Sequence, residues 1–133
     1  MLISLGKEKL KNRFIYLGIL KKEEMYKIYN TCDIFCMPAI NEAFGTIIIE
    51  AMAANKPVVV NDEEDRHWMI NDAGVFTDMA DVNKIAESLL KAYNINWGNK
   101  PRLQAEKFSW DIIFSKYNSL ILELIQQKKK GFN

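Results

Sequence analysis

The strongest constraint on the fold is a series of short, almost uninterrupted apolar runs separated by amphipathic segments. Three of these runs are DIFCMP (33–38), PVVV (57–60) and AGVF (73–76). Strands that are apolar at nearly every position are typical of parallel sheets, in which helices cover both faces. KKEEMYKIYNTC (21–32) and DVNKIAESLLKAY (81–93) carry apolar residues at helical spacing. The pattern predicts an α/β fold, a Rossmann-like parallel sheet with helices on both faces.

The other segments are assigned by the same rules. LISLG (2–6) and RFIYLG (13–18) are predicted as strands, and RLQAEKF and SWDIIFSKYNSLILELIQQ (109–127) as two closing helices. We expect Asp81 and Ser109 to cap their helices. FGTIIIEAMAAN (44–55) is ambiguous, because its three isoleucines favour a strand and its EAMAAN half favours a helix. NDEEDRHW (61–68) is predicted to be an acidic loop.

Length and charge exclude several classes. A chain of 133 residues fits one domain. Its net charge of +1 gives no reason to expect a nucleic acid partner or an anionic membrane. No apolar run approaches the roughly 20 residues that span a bilayer, so we expect no transmembrane segment. Cys32 and Cys36 lack a redox or zinc spacing and are predicted to be reduced core residues of a cytoplasmic protein. His67 is the single histidine, and we expect no metal site.

The loop after DIFCMP is the expected place for a ligand, because open α/β sheets bind ligands at the carboxyl ends of their strands. A helix that begins near Gly45 would present free amides around Thr46 and Ile47, which suit a phosphate. Glu42 precedes this point and Glu50 lies one turn beyond it. The arrangement suits a sugar, a diphosphate and a ribose laid end to end. Two surface glutamates are the alternative, but unpaired carboxylates in so apolar a stretch are costly.

The stretch NEAFGTIIIEAMAANKPVVV (41–60) resembles the Glu-x7-Glu signature of the retaining family-4 (group 1) glycosyltransferases, which have the GT-B fold. The family pattern is Glu, any residue, Phe-Gly, an apolar run, Glu-Ala-Met-Ala and, shortly afterwards, Pro-Val-Val. RFIYLGIL, EEMYKIYNTCDIFCMP, DAGVFTDMADVNKIAESLLKAY and FSWDIIFSKY are similar to flanking family segments, so nearly the whole chain is covered. The resemblance implies the C-terminal half of a GT-B fold, with residues 1–133 forming the donor domain.

The resemblance also implies roles for individual residues. Glu42 matches the first acid, which contacts the donor sugar near the reacting face and is our catalytic candidate. Glu50 matches the acid that binds the nucleotide ribose. The remaining predicted substrate-binding residues form two short segments. They are Phe44, Gly45, Thr46 and Ile47 at the sugar and diphosphate, and Gly18, Ile19 and Leu20 at the base.

Three departures from the family pattern qualify this interpretation. The acceptor domain is expected to be absent, and the donor domain is expected to be truncated at its N-terminus. The family's diphosphate-binding Arg and Lys would lie upstream, and we interpret Lys21, Lys22 and Arg66 as exposed charges rather than substitutes. Four acids at 62–65 stand where the family has Gly-Gly, and acids beside a diphosphate would repel it. Asn55 replaces a glycine, and this is a mild change because Asn tolerates a left-handed helix cap.

We expect Trp68, Trp97 and Trp110 to have packing roles.

The predicted function is that of a donor domain that binds a nucleoside diphosphate sugar for retaining transfer of a hexose in carbohydrate biosynthesis. The expected acceptor is a sugar or lipid-linked glycan bound through the missing domain, and peripheral membrane association of the full-length protein is left open. No cofactor or metal is expected, and this chain alone is expected to be inactive. Two alternatives are a non-catalytic module of the same fold, which binds a nucleotide sugar or a protein partner, and another GT-B enzyme such as a sugar-nucleotide 2-epimerase.

Overall fold

The computed structural model describes residues 2–130 as an α/β domain built on a three-stranded parallel sheet. The strands β1 (Phe35–Met37), β2 (Val58–Asn61) and β3 (Gly74–Thr77) lie in the order β1-β2-β3. Cys36 pairs with Val59, which in turn pairs with Val75. The three apolar runs that were predicted to be buried strands are therefore confirmed. All three strands run the same way, so their carboxyl ends meet at one edge.

Seven helices complete the described part of the chain. Their bounds are α1 (Leu2–Leu10), α2 (Lys22–Thr31), α3 (Thr46–Ala53), α4 (Glu64–Ile70), α5 (Val82–Asn94), α6 (Lys100–Glu106) and α7 (Trp110–Lys130), with a 3₁₀ turn at Lys11–Arg13. Asp81 caps α5 as predicted, because its side chain accepts hydrogen bonds from the amides of Asn83 and Lys84. Ser109 likewise accepts a hydrogen bond from the amide of Ile112 at 3.4 Å.

The core forms two layers, one on each face of the sheet. Successive side chains of a strand point to opposite faces. Val58 and Val60 therefore join Ile48 and Met52 in the larger cluster, which α2, α3, α4 and α6 cover. Val59 faces the smaller cluster beneath α5. This arrangement confirms the predicted helix cover on both faces.

Two strand predictions at the N-terminus are wrong. LISLG forms the first part of the nine-residue helix α1, where the charged run Lys7–Lys9 follows it, and α1 buries none of its side chains. RFIYLG begins at the end of the 3₁₀ turn and is otherwise without regular structure, although its aromatic and β-branched residues suit a strand. Ile15 remains 77% exposed. A strand needs a hydrogen-bonded neighbour, and within residues 2–130 this segment does not join the sheet.

The ambiguous segment 44–55 is a helix, α3, held between left-handed residues at its two ends. Gly45 precedes the first turn with φ +72°, and Asn55 follows the last turn with φ +61°. The amides of Asn55 and Lys56 donate back to the carbonyls of Met52 and Ala51, as in a C-terminal cap. The prediction that Asn55 tolerates a left-handed cap is confirmed.

Candidate donor-binding site

The amino end of α3 lies beside the loop that follows β1. The carbonyl of Gly45 accepts a hydrogen bond from the Ile48 amide at 2.8 Å, which begins the helix. The φ of +72° favours glycine at position 45, and a Cβ there would also crowd the Cδ1 atom of Ile48 at 2.8 Å. The first N–H groups of a helix have no partner within it, so Thr46 and Ile47 are placed to donate to an anion.

Glu42 and Glu50 lie in different environments on either side of this helix start. Glu42 is exposed in the loop between β1 and α3. Glu50 is half-buried, and its Oε2 atom accepts a hydrogen bond from the Tyr29 hydroxyl at 3.0 Å. The two motif acids are therefore not equivalent, because one faces solvent and the other is oriented by a buried phenol.

Tyr29 is a site residue that sequence reasoning missed, since its position in the stripe of α2 indicated only a core role. The ring is 4% exposed and contacts Phe35 edge-on at 5.8 Å. Burial, together with the hydrogen bond to Glu50, raises the pKa of Tyr29 to about 12. The phenol therefore stays protonated at neutral pH and remains a donor to Glu50.

A cavity of about 930 Å³ opens between α3, α4, α6 and α7. Three predicted site residues, Phe44, Thr46 and Glu50, line it. Its volume lies near the upper end of the range that is usual for small-molecule sites. A second cavity of about 400 Å³ lies toward α2, and Glu50 and Lys22 border both spaces. Glu50 thus stands between the two cavities.

One wall of the larger cavity is aromatic. Trp68 lies between Phe44 and Phe108, with ring-centre distances of 6.4 Å and 5.4 Å. Trp110 and Tyr117 of α7 add further aromatic surface. Trp110 is 86% exposed, so the prediction that it serves in packing is wrong, whereas Trp68, although 58% exposed, does pack between two rings as predicted.

Trp97 does pack as predicted. Its ring contacts the smaller core cluster, and its indole N–H donates to the Ala92 carbonyl at 2.7 Å. Trp97 therefore anchors the chain between α5 and α6. It lies outside the lining of both cavities.

The positive side chains in and near the cavity differ in their exposure to solvent. Lys22, Lys107 and Lys116 are exposed and line the larger cavity. Lys21 is exposed, as expected. Arg66 is not, because only 3% of it is accessible, and the exposed-charge interpretation of Arg66 is therefore wrong. Its place on the buried side of α4, together with Met69 and Ile70, accounts for this burial.

The acidic segment is largely helical rather than a loop. α4 begins at Glu64. Asp62 contacts Nε2 of His67 at 2.6 Å, and Glu63 pairs with the Nε atom of Arg66 at 3.0 Å. Two of the four acids thus have local partners. The sequence could not reveal these contacts, because they depend on where α4 begins.

Several predicted site residues are not brought into the cavities. Among the described residues, neither lining includes Glu42, Gly45 or Ile47. The predicted base-binding segment, Gly18, Ile19 and Leu20, also lies outside both linings, and Ile19 is fully exposed. The structure thus groups Phe44, Thr46 and Glu50 in one cavity and places the other candidates on neighbouring or exposed surface.

Cys32 and Cys36 are free thiols in half-buried positions, in agreement with the predicted reduced state. Burial raises the pKa of both thiols, so they are protonated at neutral pH.

Within the described range, no group of three or more His, Cys, Asp or Glu side chains is arranged to hold a metal ion. The helices between residues 2 and 130 include none long and apolar enough to cross a membrane.

Comparison with known proteins places this geometry in a family context. The sequence model of the family described as "Glycosyl transferases group 1" matches residues 4–108. The O-antigen chain mannosyltransferase B of Escherichia coli is 31% identical over 101 residues, which cover 72% of this chain and 26% of that protein. A D-inositol 3-phosphate glycosyltransferase of Corynebacterium jeikeium is 29% identical over 123 residues, covering 87% of this chain and 29% of that protein.

A solved structure confirms the fold. Sucrose-phosphate synthase from Thermosynechococcus elongatus superposes with a TM-score of 0.78 at 22% identity, covering 95% of this chain and 34% of that one. The parallel sheet with flanking helices is thus part of a GT-B fold. The chain spans between a quarter and a third of the length of these relatives. Because the family match covers most of its length, the chain belongs to the group 1 glycosyltransferases.

Proposed function

We propose that this chain is the donor-binding part of a retaining hexosyltransferase and that it binds a nucleoside diphosphate sugar. The observation that carries the proposal is the grouping of Glu50, Thr46 at the amino end of α3, and three lysines around one cavity. A site for a nucleoside diphosphate needs a group that accepts hydrogen bonds from the ribose hydroxyls. It also needs amide donors and positive charge for the diphosphate, and all of these must lie within the length of the ligand. The cavity volume of about 930 Å³ accommodates such a ligand.

The ligand lies across the amino end of α3 in this proposal. The diphosphate accepts hydrogen bonds from the amides of Thr46 and Ile47, where the helix dipole favours negative charge. The ribose hydroxyls donate to Glu50, whose carboxylate is oriented by Tyr29. The sugar extends toward Glu42, which is exposed and therefore free to accept from sugar hydroxyls. The exposed segment Gly18–Leu20 remains the predicted contact of the base.

In this proposal Lys22, which was expected to be an exposed charge and not a substitute, joins Lys107 and Lys116 in supplying the positive charge that the family resemblance assigned to residues upstream. Lys22, Lys107 and Lys116 line the cavity together with a single acid, Glu50. Fixed cations and helix amides stabilise the charge that develops on a leaving diphosphate, which is the dominant contribution to catalysis in many group transfers. In this mechanism Glu42 holds the sugar at the reacting face, and the acceptor approaches from a part of the protein beyond this chain.

Calorimetric titration of the chain with uridine, guanosine and adenosine diphosphates tests the proposal. Glu50→Gln should lower the affinity for the bound nucleotide by about tenfold or more, because it removes a charge-assisted hydrogen bond to the ribose. The amide oxygen of the substituted side chain can still accept from Tyr29, so the fold should be retained. Glu87→Gln on α5 removes an equally negative but exposed group on the opposite face of the sheet and should leave the affinity unchanged.

Two results would contradict the proposal. One is the absence of measurable binding of all three nucleotides to the wild-type chain and to a longer protein that contains it. The other is an affinity of the Glu50→Gln variant equal to that of the wild type.

A further inference from the structure

Asn61, the last residue of β2, connects three separate segments at the carboxyl edge of the sheet. Its Nδ2 atom donates to the Ile40 carbonyl at 3.4 Å and to Oε1 of Glu63 at 2.9 Å. Its Oδ1 atom accepts from the Met79 amide at 3.0 Å. Ile40 belongs to the loop after β1, and Met79 belongs to the loop after β3. A single side chain therefore ties the outer loops to the central strand.

Arg66 fixes the other end of this connection. Its Nε atom donates to Oε2 of Glu63 at 3.0 Å, while Glu63 accepts from Asn61 through its second oxygen. The Nη1 and Nη2 atoms of Arg66 are buried and have no acceptor among the described residues. Glu63 is therefore the acid that balances this buried charge, which strongly favours one orientation of its carboxylate.

We propose that Arg66, Glu63 and Asn61 form a brace that positions the loop of residues 38–45, and with it Glu42. Ile40 lies two residues before Glu42 in this loop, which ends at the start of α3. The brace uses two charged residues and one amide to hold a segment that otherwise lies at the surface. In this assignment Asn61, Glu63 and Arg66 are positioning residues and do not touch the donor.

The side chain of asparagine suits the contacts that are made at position 61. Asparagine offers two donors and an acceptor in one planar group, so it can satisfy the Ile40 carbonyl, the Glu63 carboxylate and the Met79 amide together. An aspartate at 61 would keep the acceptor for Met79 but lose both donations, and it would place a negative charge beside Glu63. Asn61→Asp is therefore a nearly isosteric change that releases the loop after β1 while retaining the contact to the loop after β3.

Backbone ¹⁵N relaxation of the full chain tests the brace without any ligand. In Asn61→Asp, the order parameters of residues 39–45 should fall by about 0.2, toward the values below about 0.6 of flexible backbone, while those of α5 stay at about 0.85. Asn83→Asp on α5 makes the same chemical change at an exposed position and should alter neither region. Glu63→Gln is the second variant, because a glutamine side chain offers one acceptor where Glu63 uses two, and it should lower the order parameters of the same loop. Unchanged order parameters at 39–45 in both folded variants would overturn the proposal.

A binding measurement extends the test to Glu42, and this part rests on the proposed function. Asn61→Asp should weaken a nucleoside diphosphate sugar about fivefold more than the matching nucleoside diphosphate, because only the sugar reaches Glu42. Equal losses for the two ligands would overturn the link to Glu42. If the wild-type chain bound neither ligand, the proposed function would fail, whereas the order parameters would still decide the brace.

Discussion

Tyr29 and Glu50 are the pair of residues on which the candidate site depends most directly. Because the pKa of Tyr29 in the folded chain is about 12, against an ordinary value of 10.0, the folded state favours the protonated phenol. Below pH 10 the phenol is neutral in both states and the stabilisation is complete. Between pH 10 and 12 the unfolded chain loses this proton first. The free energy of unfolding should therefore fall by about 2 to 3 kcal/mol across this window.

The change is measured as the difference between the wild type and Tyr29→Phe in urea unfolding at pH 9 and pH 12. Other groups also titrate in this range, so the difference isolates the Tyr29 contribution. Tyr16→Phe removes a hydroxyl from an exposed ring and serves as the control. A pH dependence in Tyr29→Phe as steep as that of the wild type would show that Tyr29 is not coupled to folding.

Residue-scale prediction from the sequence was accurate where the cause is local. The left-handed cap at Asn55 and the helix start at Gly45 follow from a few neighbouring residues, and both are confirmed. The Tyr29–Glu50 hydrogen bond joins residues 21 positions apart, so no local pattern reveals it. The burial of Arg66 depends on which side of α4 faces the core, and residues 61–68, in which α4 begins, were predicted to be an acidic loop. The binding roles of Glu42 and Glu50 stay predictions.

At the scale of elements, Asn55 links the end of α3 to α6. Its Nδ2 atom donates to the Gly98 carbonyl at 2.9 Å, and its Oδ1 atom accepts from the Arg102 amide at 3.3 Å. Asn55→Gly should destabilise the chain by about 1 kcal/mol, since it loses both bonds although glycine suits the positive φ. Asn55→Ala should cost about 2 kcal/mol, because alanine adds backbone strain to the same loss.

Thermal or urea unfolding of the two variants and the wild type measures this order of stabilities. Asn99→Ala, at the N-cap of α6, removes an exposed amide that makes no side-chain capping hydrogen bond and is the control. A finding that Asn55→Gly is more stable than the wild type would mean that helix capping, rather than the link to α6, determines the choice of residue at 55.

The elements themselves were predictable where burial reinforces the local pattern. β1, β2 and β3 are apolar runs covered by helices, and α5 presents one apolar face to Val59 and Val75. RFIYLG has equally suitable residues for a strand, but no strand partner within residues 2–130. Segment 44–55 was ambiguous because Ile47, Ile48 and Ile49 satisfy both patterns. Of these three isoleucines, only Ile48 is fully buried. A helix with one buried face produces this pattern, whereas a strand buried on both faces would cover all three.

At the scale of the whole molecule, α7 stands apart from the compact sheet. Its apolar residues recur at intervals of three and four, yet Phe114, Tyr117, Ile121 and Leu124 are all more than half exposed. A contiguous apolar surface of this kind is unusual on a monomer and favours association. Val82, the first residue of α5, is also exposed but lies outside α7, and single exposed apolar residues are common on protein surfaces.

The chain on its own should therefore bind the dye anilinonaphthalene sulfonate and sediment as a concentration-dependent mixture of species. Phe114→Gln combined with Ile121→Gln replaces two residues on one side of α7 while keeping good helix formers, and it should reduce dye fluorescence by about half and shift sedimentation toward the monomer. Val82→Gln should change neither signal. If the double variant keeps the dye binding and association of the wild type, the relevant apolar surface lies elsewhere, and the exposed N-terminal residues Leu2 and Ile15 are then the next positions to replace.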